Sequence, residues 1–143
     1  MTDLAIALLS LLGLAIASLF TLAAYGLATQ RLGPILAVCR LDEQTCRRIV
    51  DTPQARALGL PNSVYGLAYY LVLVAGLGLG WWHPGSTLLG SAVLVAWATV
   101  VLAAYLAYAL LAVLRVPCVL CLASHTINLA LALLLSVRWL GWV

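Results

Sequence analysis

Residues 116–137 read VPCVLCLASHTINLALALLLSV. No residue in this run carries a formal charge, and its length matches the about 20 apolar residues that a helix needs to cross the hydrocarbon of a bilayer. The run opens on two cysteines, Cys118 and Cys121, and carries His125 and Asn128 further along. A membrane-length helix with a dithiol at its start is thus the first element to place.

Working outward, three more charge-free runs follow the same rule: Leu4–Thr29, Val64–Trp82 and Thr87–Leu114. Hydrophobic residues make up 66% of the chain and charged residues 8%, with no lysine. A soluble domain carries about 25% charged residues, so this chain cannot cover itself with a solvated surface. The expected architecture is an all-α integral membrane protein, a bundle of four transmembrane helices with both termini on one side. The whole chain, 1–143, is expected to form one domain. The first run lacks a basic leading segment and exceeds the length of a signal-peptide core, so it reads as a permanent helix. Trp81, Trp82, Trp139 and Trp142 lie at run ends, where tryptophans anchor helices at the membrane interface.

The connections are unequal. A tight turn, His83-Pro84-Gly85-Ser86, joins the second and third runs, and Arg115-Val116-Pro117 joins the third and fourth. Residues 30–61 form the one long connection and hold five of the seven arginines and three of the four acids. A loop of this length in a compact bundle is usually functional. Its part from Asp42 to Val50 has helical composition and is expected to lie on the membrane surface. The loop is also expected to cap the bundle, with Ile49, Val50, Leu58 and Leu60 giving it apolar groups to bury.

The four cysteines fall in two pairs. Cys39 and Cys46 flank a charged stretch in the long loop, and Cys118 and Cys121 open the last run. Odd-numbered spans end on the same side, so all four thiols share one face of the membrane. Two intervening residues on a helix start put Cys118 and Cys121 on one face, close enough to bridge. The positive end of the helix dipole favours thiolate there, and Pro117 suits the first turn. Arg40, Arg47 and Arg48 surround the loop pair and favour its thiolates; the alternative for them is solvation or headgroup contact. Two dithiols at one bilayer surface can pass electrons from a protein outside the lipid to a carrier dissolved in it. Four cysteines also permit a zinc site, which would make the chain a zinc-stabilised membrane scaffold rather than an enzyme. No metal is expected, because structural zinc is more often held in a soluble knuckle. Nothing suggests a nucleic-acid partner.

Cys118, Cys121, His125 and Asn128 fall at helical spacing on one stripe. Polar groups inside a membrane are costly and normally functional. His125 can hydrogen-bond or protonate a quinone carbonyl, or else bond a neighbouring helix; for Asn128 the interhelical bond is the default. Asn62-Ser63 stands at the entry to the second run. There Asn62 can cap the helix and still aim its amide at a ligand.

At these residues the chain resembles the vitamin K epoxide reductase family in its prokaryotic single-domain form. The matching pieces are Cys39 and Cys46 in the loop, Asp51-Thr52 beyond them, Pro61-Asn62-Ser63-Val64-Tyr65-Gly66 at the second run, and Cys118-Val119-Leu120-Cys121 followed by Thr126-Ile127-Asn128. The resemblance implies a catalytic relay. Cys39 and Cys46 would be the shuttle pair, Cys118 would exchange with Cys46, and Cys121 would contact the quinone. It implies a ubiquinone- or menaquinone-type quinone as acceptor and a thioredoxin-like, DsbA-like protein as electron source. Asn62 matches the family's quinone-bonding asparagine, and His125 stands where the animal enzymes have a tyrosine, which puts vitamin K epoxide chemistry in doubt. Thr52 stands where many members have serine. No thioredoxin-like extension follows Val143, so the partner is expected to be a separate protein. The resemblance places the thiols outside the cytoplasm, at the cell membrane. The arginines point the other way: six lie on the cysteine side and only Arg138 opposite, which by the positive-inside rule is a cytoplasm-facing pattern.

Overall fold

The computed structural model describes residues 2–27, 51–56, 59–115 and 118–142. Cys39, Cys46, Arg40, Arg47, Arg48, Ile49, Val50, Leu58 and Pro117 lie outside these residues, as does the surface helix expected over 42–50. The described chain is helical: α1 (Thr2–Ala24), a single 3-10 turn (Pro53–Arg56), α2 (Asn62–Gly78), α3 (Thr87–Tyr108) running on into a π-turn (Ala109–Val113), and α4 (Val119–Trp139).

Three of the helices are long and apolar enough to cross a membrane: Thr2–Ala24, Thr87–Val113 and Val119–Trp139. The other, α2, is apolar but has 17 residues. At about 1.5 Å per residue it reaches roughly 26 Å, the lower edge of what spans a bilayer. Its lipid-facing flank nonetheless carries exposed Leu71 and Val72. The outer surface of the whole bundle is apolar, with Leu94 74% and Val101 71% exposed, as expected when the solvent is lipid.

Helix ends depart from the charge-free runs because absence of charge does not distinguish helix from turn. The second run was expected to stay helical to Trp82, but α2 stops at Gly78. Gly80 takes φ 68°, the Gly80 N–H donates to Leu77 O (3.2 Å) and the Trp81 N–H to Gly76 O (2.8 Å). This is the paired closure that a left-handed glycine makes at a helix C-terminus. The first helix ends in the same way at Ala24 rather than Thr29, with Gly26 at φ 69° and the Leu27 N–H donating to Leu22 O (2.8 Å). At its start α3 is capped by Ser86, whose Oγ accepts from the Leu89 N–H at 3.1 Å, satisfying one of the orphan donors of the first turn.

Trp82 corrects another expectation. It is 4% exposed, not an interfacial anchor. Its indole folds back over Gly76 of α2, where any Cβ would overlap the ring, and its Nε1–H donates to Leu73 O at 3.0 Å. Arg138 near the end of α4 donates from Nε to Trp82 O (2.8 Å) and forms an ion pair with Asp3. The Gly85 N–H donates to Trp139 O (3.2 Å). This end of the bundle therefore joins the start of α1, the α2–α3 turn and the end of α4. It also puts the described chain ends together on one side.

Laterally, α2 packs along α1, α3 packs along α4, and α1 meets α4. The α3–α4 seam is built from small residues, Ala92, Ala96 and Ala132, around Leu89, Leu131 and Leu135. Small side chains let helix backbones approach closely where lipid supplies no hydrophobic drive. The Trp97 Nε1–H donates to Ser136 Oγ across the same seam at 3.1 Å. On the other side, α2 stands off from α3 and α4, and the space between them is the site.

Candidate quinone site and thiol centre

The space is a cavity of about 220 Å³ lined from all four helices. A cavity of about 150 Å³ already accepts a benzene ring, so the volume suits a single flat ring. Its walls are mainly apolar: Ile16 and Phe20 from α1, Leu102 and Leu106 from α3. Into it come Cys121, His125 and Asn128 from α4 and Asn62 from α2. These are four of the polar residues singled out in the sequence, gathered by helical spacing on α4 and by the first turn of α2. The cavity wall near Asn62 includes Thr52, Gln54, Ala55 and Pro61, the described end of the long loop. Leu60 does not line the cavity and is 49% exposed.

The Asp51-Thr52 segment acquires a local reason here. Thr52 Oγ1 accepts from the Ala55 N–H at 3.2 Å and its carbonyl from the same N–H at 3.1 Å, which starts the 3-10 turn. That turn presents Gln54 O, which accepts from Asn62 Nδ2 at 2.8 Å. Asn62 was expected as a possible helix cap and is not one. The cap position is Pro61, with no side-chain cap bond, and Asn62 is the first helical residue. Its amide is instead anchored through one N–H. That leaves its second N–H, and Oδ1 is buried with no hydrogen-bond partner among the described residues. Ser63 Oγ beside it is in the same state. Unpaired polar atoms in an apolar setting cost about 1–3 kcal/mol each, so a ligand that bonds here recovers that cost.

Cys118 sits at the N-cap of α4 rather than in its first turn, with extended backbone (φ −86°, ψ 107°). Its Sγ accepts from the Cys121 N–H at 3.2 Å. It is fully buried, packed on Leu110 with Phe20, Leu114 and Leu122 around it. No S–S bond joins Cys118 and Cys121. The Cys121 side chain hydrogen-bonds the Cys118 thiol and holds it below the ordinary thiol value, opposing its burial, with smaller help from the Cys121 and Leu120 backbone N–H groups. Cys118 is thus buried away from the cavity, and Cys121 lies on the cavity wall. At the end of α3 the π-turn is closed by the Leu114 N–H on Ala109 O (2.8 Å), and Arg115 takes φ 54°. A non-glycine residue in that region is uncommon, and such strain collects near functional sites.

Sequence reasoning missed Tyr69 and Tyr70 of α2. Tyr70 is 3% exposed, and its hydroxyl donates to Asn128 Oδ1 at 2.7 Å. Its ring occupies the notch left by Gly13 on α1, where a Cβ would overlap it. Tyr69 also lines the cavity, beside Thr99. Its hydroxyl is buried without a well-formed partner among the described residues, Thr99 Oγ1 being committed to Ala96 O at 2.7 Å. The polar character of two adjacent tyrosines on a membrane helix was the available signal.

Among the described residues no three histidine, cysteine or acidic side chains cluster to hold a metal ion. A site built on all four cysteines would draw on Cys39 and Cys46, outside those residues. No curated protein matches the chain significantly. The sequence model of the vitamin K epoxide reductase family matches residues 4–136, nearly the entire length, including both cysteine pairs and the Asn62 segment. With the helical membrane bundle and the dithiol at the head of α4, this makes the chain a member of the vitamin K epoxide reductase family, whose members are oxidoreductases of membranes.

Proposed function

We propose that the protein is a membrane thiol–quinone oxidoreductase of the disulfide-forming, DsbB-like kind. It takes two electrons from the cysteine pair of a separate thioredoxin-fold protein, leaving that pair as a disulfide. The electrons pass through Cys39 and Cys46 to Cys118 and Cys121, and from there to a quinone of the ubiquinone or menaquinone type. The observation that carries the reading is the meeting of Cys121, Asn62 and His125 on the wall of one apolar cavity of ring size.

The residues fit a quinone. A flat apolar ring with two carbonyl oxygens needs an apolar slot with a donor near each oxygen. Asn62 offers its second amide N–H, and its unpartnered Oδ1 is an acceptor for the hydroxyl of the reduced form. His125 offers a ring nitrogen from the facing helix. A bound quinone supplies the sink for two electrons and two protons. Each dithiol that closes to a disulfide releases that same number, so the chain stays in balance. Within the protein, Cys118 is the thiol held toward thiolate, and thiolate is the form that attacks or leaves in exchange. Cys121, on the cavity wall, is the thiol that faces the acceptor. Ile16, Phe20, Leu102 and Leu106 give it apolar surroundings.

The helix α2 completes the bundle as a fourth span, since it carries Asn62 at the level of the thiols. On the family resemblance the protein is a multi-pass component of the cell membrane with its thiol face outside the cytoplasm; the arginine distribution favours the inverted orientation. The reading is tested by mixing purified protein with a reduced thioredoxin-fold protein and following quinone absorbance. Stoichiometric loss of quinone and of partner thiols is expected. Bound zinc with no quinone reduction would replace it with the scaffold reading. Labelling of the thiols in sealed vesicles from either side fixes the orientation.

A further inference from the structure

We infer that Tyr70 and Asn128 form a strut that sets the width of the quinone slot, and that both are positioning residues for the reaction. The inference rests on the quinone reading above. Asn62 projects from α2, whereas Cys121 and His125 project from α4, and the cavity separates these two helices. The gap between the ligand's polar contacts is therefore fixed by how α2 is held against α4. The Tyr70 hydroxyl reaches across from α2 and donates to Asn128 Oδ1 at 2.7 Å. The buried Tyr70 hydroxyl has little access to water as an alternative partner, so the bond is expected to persist.

The strut is stiff at both ends. The Tyr70 ring lies in the Gly13 notch of α1, with no room for a Cβ at that position, and the residue is 3% exposed. Asn128 lies seven residues beyond Cys121 and three beyond His125 on the same stripe of α4. A rigid helix transmits the fixed point at Asn128 to both of them. On α2, Tyr70 stands eight residues beyond Asn62, about two turns, again on one rigid element. The hydroxyl of Tyr70 is committed to Asn128, so its effect on a ligand runs through spacing.

Tyr70→Phe removes the bond and keeps the ring in its notch; Asn128→Leu removes it from the other side. Each is expected to raise the KM for quinone by roughly three- to tenfold, the worth of one net hydrogen bond, with kcat at saturating quinone nearly unchanged. The double variant should be no worse than the worse single one, because both remove one interaction. A second readout needs no quinone. With Cys39, Cys46 and Cys118 replaced by serine, the rate at which a small apolar maleimide alkylates Cys121 reports on cavity width. It should change severalfold in Tyr70→Phe, with the thermal midpoint within a few degrees of the parent. Unchanged alkylation in both variants overturns the strut. So do unchanged KM values, or additive effects in the double variant. If the parent protein reduces no quinone, the functional reading falls, and alkylation alone decides whether the strut holds the cavity.

Discussion

Cys118 caps the helix that carries Cys121: its Sγ accepts the Cys121 N–H at 3.2 Å. One residue thus does two jobs that substitutions can separate. Serine keeps a side-chain acceptor at the cap and alanine does not. Cys118→Ser is therefore expected to melt close to the wild type. Cys118→Ala should lose about 1 kcal/mol, the usual worth of a cap. Both should be inactive in electron transfer. Thermal unfolding in detergent, read beside turnover, checks this. Equal stability of the alanine and wild-type proteins would show that the cap bond is inconsequential.

A second contact between the same two residues, side chain to side chain, sets a pH dependence. The Cys121 side chain is the largest influence lowering the Cys118 thiol, so thiolate is populated at lower pH than in an ordinary cysteine. The ultraviolet thiolate absorbance of Cys118, taken as the difference from Cys118→Ser, should reach half its limit below the ordinary thiol pKa. In Cys121→Ala that midpoint should move to higher pH. A midpoint that stays put would assign the effect to the backbone N–H groups alone.

How much of this was legible in the sequence depended on what each signal measures. Absence of charge located three spanning helices, because burying charge in lipid is costly wherever it falls. It could not locate their ends, since Gly26 and Gly80 turn the chain inside charge-free stretches. Helical spacing brought Cys118, Cys121, His125 and Asn128 onto one stripe; the structure puts the last three on one cavity and leaves Cys118 off it, at the N-cap of α4. The partner of Asn128 was not legible, because Tyr70 lies 58 residues away and spacing within one helix says nothing about its neighbour. Trp82 was misread for a related reason. Position at the end of a run suggested the interface, but Gly76 opens a place for its indole inside.

That place yields a stability prediction. A Cβ at Gly76 would overlap the Trp82 ring, which is held by its own bond to Leu73 O. Gly76→Ala is expected to cost about 1–3 kcal/mol, as overpacking of a filled site does. Gly78→Ala, two residues on in open space, should change little. Thermal midpoints of the pair, measured in one detergent, make the comparison. Equal midpoints would show that the indole moves aside freely.

The relay makes a prediction about Cys39, which lies beyond the described residues and is assigned from the family motif. Thiol–disulfide exchange proceeds through a mixed disulfide. In Cys39→Ser the proposed Cys46–Cys118 link loses the thiol that would resolve it and should accumulate. Peptide mapping by mass spectrometry without reduction detects it. Finding Cys118–Cys121 alone, with Cys46 unlinked, would count against transfer by this route.

The acceptor end is tested at Asn62 and His125, which line the cavity from α2 and α4. Asn62 carries two roles, since one N–H holds Gln54 O and the rest of the amide is available to a ligand. Asn62→Ala therefore removes a ligand contact and loosens the turn that lines the cavity beside it. His125→Ala removes a ligand contact alone. Each is expected to lower kcat/KM for quinone by an amount set by one hydrogen bond in an apolar site, roughly 1–3 kcal/mol or about five- to 150-fold. The larger loss should fall at Asn62. Exchange between the partner protein and the Cys118–Cys121 pair, followed without quinone, should be unaffected in His125→Ala. Asn62→Asp keeps Oδ1 and gives up the Nδ2 bond to Gln54 O, so it should hold the turn less well than the wild type. Unchanged quinone kinetics in both alanine variants would remove the acceptor from this cavity and leave the thiol centre without its proposed outlet.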